Sequence, residues 1–234
     1  MKIVLLTIFF FFSLLLYPQE YKKREYIASR TEKPPVINGE LDDGEWTEGE
    51  WAGDFWQYSP VEGGPVSQNT EFKLLYDDYN IYLAIKAWDT APDSIISRMT
   101  RRDDIEGDEV AVALDSYFDQ RTAFQFSVSA AGVKGDLMWF DDGLTQDDSF
   151  DPIWYVKTGI YDWGWAAEMR IPLTQLRFSA SEQQVWGLEV MRQIYRHNET
   201  VMWQPIARNA SGLVHNAGLL KGLTNIRPRK LFDL

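Results

Sequence analysis

The stretch Thr70-Glu71-Phe72-Lys73-Leu74-Leu75-Tyr76-Asp77-Asp78-Tyr79-Asn80-Ile81-Tyr82-Leu83-Ala84-Ile85-Lys86-Ala87 decides the fold. In its first arm Thr70, Phe72, Leu74 and Tyr76 alternate with Glu71 and Lys73, and in its second Ile81, Leu83, Ile85 and Ala87 alternate again. A period of two puts successive side chains on opposite faces of a strand. Between the arms Asp77-Asp78-Tyr79-Asn80 is a turn, because Asp and Asn side chains bond their own backbone. The pair predicts a β-hairpin with one apolar face.

The same pattern extends in both directions. Val110, Val112 and Leu114 alternate, as do Phe124, Phe126 and Val128, and Gly132 turns the chain into Val133 to Phe140. Val156, Thr158 and Ile160 run into the turn Asp162-Trp163-Gly164, and Trp165, Ala167, Met169 and Ile171 run out of it. Trp186, Leu188 and Val190 form a further strand, with Val201 to Trp203 and Leu219 to Leu223 near the end. About ten strands with one apolar face each predict an all-β fold, an antiparallel two-sheet β-sandwich of immunoglobulin-like or jelly-roll type. Helical signal is confined to one or two turns within Asp93 to Arg102 and a proline-initiated turn at Pro172 to Leu176. Trp46, Trp165, Trp186 and Trp203 lie in or beside alternating strands and are expected in the core.

The chain has 234 residues, 45% of them hydrophobic and 25% charged, which is globular composition. Lys2 followed by the apolar run Ile3 to Leu16 and the break at Tyr17-Pro18 reads as a signal peptide over residues 1–18. Residues 19–33 are polar and basic and read as a linker, residues 34–223 as one domain, and residues 224–234 as the start of a linker to a C-terminal region not included here. The expected location is therefore outside the cytoplasm: periplasm, cell surface or outer membrane. A net charge of -12 repels a phosphate backbone and argues against nucleic acid as a partner. The absence of cysteine removes disulfides, thiolate zinc sites and thiol catalysis.

Four segments carry a resemblance. Pro35-Val36-Ile37-Asn38-Gly39-Glu40-Leu41-Asp42 followed by Trp46 looks like the opening of family 9 carbohydrate-binding modules. The hairpin Glu71 to Asp89, the strand Asp108-Glu109-Val110 to Asp115, and Gly164-Trp165-Ala166-Ala167-Glu168-Met169-Arg170-Ile171-Pro172 resemble later segments of that family, in order. Leu176-Arg177-Phe178, Asp148 to Trp154 and Asn225-Ile226-Arg227-Pro228 resemble an uncharacterised Gram-negative version. There the module precedes what looks like an outer-membrane barrel. The resemblance implies a sandwich, a carbohydrate partner, structural calcium, and a barrel in cis. In sugar-binding members two loop tryptophans clamp the ligand; the corresponding positions here are Ile105 and a residue near Leu213, neither aromatic.

Aromatic faces stack on the C–H faces of sugar rings while polar neighbours read hydroxyls. Trp139 before the acidic loop, Trp154 after it, and Trp163 in its turn are the candidate ligand-binding aromatics, with Arg98 as a donor to hydroxyls. Asp141 and Asp142 are the candidate calcium ligands, oxygen donors in a loop. Catalytic templates such as G-x-S-x-G, H-E-x-x-H and the P-loop are missing, and the only histidines are His197 and His215. The leading expectation is non-catalytic carbohydrate binding linked to glycan degradation or uptake. The alternative is an assembly domain of an outer-membrane protein with no sugar ligand. Haem binding through Met99, Met138 or His215, and glycosidase activity from an acidic pair, are weaker readings.

Overall fold

The computed structural model describes residues 21–228 apart from Asp42, Asp43 and Glu45. The signal segment, the Asp42-Asp43 pair and residues 229–234 lie outside the described residues. The strands are β1 (Glu25–Ile27), β2 (Ser29–Arg30), β3 (Trp56–Ser59), β4 (Thr70–Tyr76), β5 (Asn80–Trp88), β6 (Glu109–Asp115), β7 (Ala123–Ser129), β8 (Lys134–Phe140), β9 (Thr145–Asp147), β10 (Tyr155–Tyr161), β11 (Gly164–Pro172), β12 (Gln183–Ile194), β13 (Glu199–Met202) and β14 (Gly218–Thr224). Among the described residues only short 3-10 turns interrupt them, at Pro92–Ser94, Asp141–Gly143, Leu173–Gln175 and Tyr195–His197.

Two sheets form, and the fold is the all-β sandwich expected. The larger runs β1-β14-β12-β6-β7-β8-β9, with β13 bonded to β12 and β3 to β13; the smaller runs β10-β11-β5-β4-β2. The hairpin Thr70 to Ala87 pairs as read, with Phe72 opposite Ile85 and Leu74 opposite Leu83. The apolar sets of β4, β5 and β11 meet those of β6, β7 and β12 between the sheets: Phe72, Leu83 and Met169 from one side, Val112, Phe126 and Val190 from the other. Trp46, Trp165, Trp186 and Trp203 are all buried.

The segment read as a linker is not one. Residues 25–30 supply a strand to each sheet, β1 parallel to β14 and β2 parallel to β4. Tyr26 drives this: its ring is buried, its hydroxyl donates to Glu50 O and accepts from Leu74 N. Basic character on the exposed positions, such as Lys22 and Arg30, concealed the buried Tyr26 and Ala28 between them.

The outer face of the smaller sheet is covered by residues 34–51. Ile37, Leu41, Trp46 and Trp51 pack on Leu75, Tyr82 and Ala84. Glu168 on β11 fastens them: it is fully buried, accepts Asn38 N and Gly39 N at 2.9 and 2.6 Å, and accepts the Trp46 indole N–H at 2.6 Å. The conformation at Gly39 (φ 96°) brings its Cα against Thr158 O, where a Cβ would stand 3.0 Å from that oxygen.

Candidate functional site

The outer face of the larger sheet is lined along its middle by small and polar side chains. The outward positions of β6 are Glu109, Ala111, Ala113 and Asp115, because Val110, Val112 and Leu114 point inward. Beside them stand Ser127 and Gln125 on β7, Gly135, Leu137 and Trp139 on β8, and Glu189, Met191 and Gln193 on β12, by the registers Ala111–Ser127, Ser127–Gly135 and Met191–Ala111. Alanine, serine and glycine make a low floor, with larger side chains at the margins.

Trp139 forms one margin. Its ring is part-exposed, and its indole N–H donates to Gln125 Oε1 at 2.9 Å, which ties the ring to the neighbouring strand. Ile105 lies over Gly135, where a Cβ would come within 3.2 Å of Ile105 Cδ1. Leu213 packs on Gly143 at the other end. On the far side Thr200 donates to Gln193 Oε1 at 2.7 Å. The positions Ile105 and Leu213, which the resemblance equates with a clamp, thus both border this trough.

At the Leu213 end the floor dips into a recess of about 50 Å³, walled by Trp139, Met191, Met202, Val214 and others, with Glu189 and Asp115 reaching into it. Burial pushes Glu189 up to about 8 against the pull of backbone donors, and Asp115 up to about 6. Glu189 Oε1 accepts Val190 N and Gln204 N; Asp115 accepts Asp119 N and Gln120 N. Burial likewise raises Glu109, whose partner is Ser127.

The residues selected from sequence do not assemble into one site. Trp139 stands at the trough. Trp154 is a correction: it is 1% exposed, its N–H donates to Asp136 Oδ2 at 3.1 Å, Phe126 meets it edge-on, and Lys134 lies 5.0 Å over its ring. Its loop folds back into the sandwich because Arg102 ties Asp136 to Pro152 O and Asp151. Trp163 belongs to the opposite side of the molecule, stacked on Tyr161 at 5.2 Å and 3° and leaning on Trp88 at 4.9 Å. Arg98 is exposed on the loop that carries Ile105, paired with Glu106 at 3.0 Å. Asp141 faces Arg121, whereas both Asp142 oxygens meet His215, one at its backbone N–H and one at Nδ1. Among the described residues no three His, Cys, Asp or Glu side chains converge as a metal site. Asp142 O also accepts Leu213 N, so this acidic turn sets the position of Leu213. Of the haem candidates, Met138 packs against the core, Met99 is exposed, and His215 is bound to Asp142.

Sequence reasoning missed Glu189, Asp115 and Gln125 as parts of the site. A signal existed in Val110-Ala111-Val112-Ala113-Leu114, whose outward positions are small and uncharged where a solvated face carries polar side chains.

The motifs of the resemblance have architectural roles. Burial would raise the Asp89 carboxyl, but paired bonds from Arg196 at 2.7 and 2.8 Å hold it below the usual range. Asp108 accepts Ile96 N, and Glu168 fastens the 34–51 segment. A family model described as "Carbohydrate family 9 binding domain-like" matches residues 37–210. Among solved structures, a carbohydrate binding module family 9 from Caldicellulosiruptor kristjanssonii in complex with glucose is similar with a TM-score of 0.63 and 21% identity over 88% of this chain and 97% of that one. The same organism's module in complex with cellotriose gives 0.61 and 22%, over 88% and 95%. At these identities the likeness speaks for the fold. No curated protein matches the chain. The match over residues 37–210, together with the four motifs in their structural places, shows that the chain belongs to the carbohydrate family 9 binding domain-like family.

Proposed function

We propose that this domain binds carbohydrate without catalysis, on the outer face of its larger sheet. The observation that carries the reading is Trp139: a part-exposed indole, its N–H committed to Gln125, beside a floor of small residues bordered by Ser127, Glu109 and Gln193. A ring on such a floor can cover the C–H face of a pyranose while neighbouring polar groups read its hydroxyls. Solved family 9 modules with glucose and cellotriose support the ligand class. Asp115 and Glu189, the raised carboxyls that line the recess, sit in a space too small for a glycosidic bond and are tied to backbone N–H groups, so they are poorly placed as an acid–base pair. The signal segment supports action outside the cytoplasm, linked to glycan degradation or uptake. Calcium remains part of the proposal through the family resemblance, with Asp141 as the more open of the two candidate ligands.

Titration of the chain against a glycan panel tests this. Trp139→Ala weakens binding at least tenfold and Trp163→Ala leaves it unchanged; the reverse pattern would move the site to the opposite face. A second reading, an assembly domain docking on an outer-membrane barrel, is favoured by the aliphatic Ile105 and Leu213 in place of a clamp. It gains if no glycan binds with or without calcium.

A further inference from the structure

We infer that the recess beneath Trp139 is a subsite for an acetyl group carried by the bound sugar. The inference rests on the carbohydrate-binding reading and names a feature of the ligand. Trp139 is shared, forming the edge of the trough and a wall of the recess, so a ring stacked there would place a substituent over the opening. The volume of about 50 Å³ admits a small substituent and not a sugar ring. The walls are Met191, Met202 and Val214, which suit a methyl group.

Among the residues that line this apolar space, one side chain carries a polar atom without a partner. Glu189 is 5% exposed; Oε1 accepts Val190 N at 3.1 Å and Gln204 N at 3.0 Å, while Oε2 meets no hydrogen-bond partner among the described residues. Buried polar atoms are nearly always bonded, so the free oxygen calls for a ligand atom. Burial raises the Glu189 carboxyl to about 8, so at neutral pH it carries a proton. Oε1 is already a double acceptor, which puts that proton on Oε2 as an O–H donor. The charged groups facing it are Arg24 from the N-terminal segment and Asp115 within the recess, and Asp115 is in turn faced by Lys23. A carbonyl oxygen accepts from Oε2–H, and the attached methyl fills the methionine-lined space. A bare hydroxyl would leave that space unfilled, and a carboxylate would meet Asp115.

The test is calorimetric titration of the full chain with matched sugars: chitotriose, which is N-acetylated, against cellotriose, and O-acetylated against deacetylated xylo-oligosaccharide. The acetylated member of at least one pair binds tenfold or more tighter, and which pair responds tells an N-linked from an O-linked source. Ala217 also lines the recess, so Ala217→Leu fills it and abolishes the preference while retaining affinity for the plain sugar. Should that variant fail to fold, Glu189→Gln serves: its amide keeps a donor at the Oε2 position, so its preference persists at pH 9.5, where that of the wild type is lost. Equal affinity within both pairs overturns the subsite and leaves the carbohydrate reading standing. A preference untouched by Ala217→Leu, or unchanged with pH in the wild type, places the acetyl group elsewhere and overturns it. No binding of any sugar overturns both.

Discussion

Trp154 and Glu189 show what a single residue's surroundings decide. Trp154 follows an acidic loop, and by sequence it is indistinguishable from a loop aromatic offered to a ligand. Its indole is instead enclosed by Phe126, Lys134 and the Arg102–Asp136 pair, contacts made by residues remote in sequence. Truncating a fully buried tryptophan costs about 3–5 kcal/mol through lost burial and the cavity left behind. Trp154→Ala is therefore expected to lower stability to urea by that amount; a loss under about 1 kcal/mol would contradict this packing. Glu189 gives a prediction with a sign. Its folded-state value of about 8 lies above the ordinary 4.5, so the folded chain keeps a proton that the unfolded chain releases. The resulting stability is complete below about pH 4.5 and is lost as pH rises through about 8. Urea unfolding across this window is expected to show a fall on the order of several kcal/mol in the wild type and a flatter profile in Glu189→Gln. Parallel profiles would mean that Glu189 is ionised in the folded protein.

At the scale of elements, what alternates was legible and what pairs at long range was not. The strands around Thr70 to Ala87, Val110 to Leu114 and Trp165 to Ile171 announce themselves, because every second side chain of each is apolar and joins the core between the sheets. β1 and β2 have three and two residues, too few to display a period, and their partners β14 and β4 are parallel and distant. The trough was half legible: Trp139 by its type, its floor by the alanines of β6, but Gln125 only by the register that puts it near Trp139. A chain begun at Glu32 lacks β1, β2 and Tyr26, and leaves Leu74 N without its phenolic partner. It is expected to melt well below a chain begun at Tyr21, or to fail to fold; matching thermal transitions would show that the segment is dispensable.

For the whole molecule, the two outer faces are unlike. One is roofed by Ile37, Leu41, Trp46 and Trp51 and fastened by Glu168, with Trp88, Tyr161 and Trp163 clustered beside it; the other carries the part-exposed Trp139 beside small side chains. The roof removes one face from consideration as a broad ligand platform. Export, read from Lys2 and the apolar run to Leu16, has a direct check: protein recovered from outside the cytoplasm is expected to begin near Gln19 by intact mass. A mass that includes Met1 would instead indicate a retained membrane anchor.

The parallel pairing of β1 with β14 has a bearing on timing. Glu25 is among the first residues of the domain to be synthesised, and its neighbour Leu219 is among the last. Until β14 exists, β1 has no strand to join, and Tyr76 lacks the Gly222 carbonyl to which its hydroxyl donates. Contacts between such distant parts of a chain are slow to form. A nascent copy of the domain therefore stays incomplete until β14 emerges, and remains threadable until then.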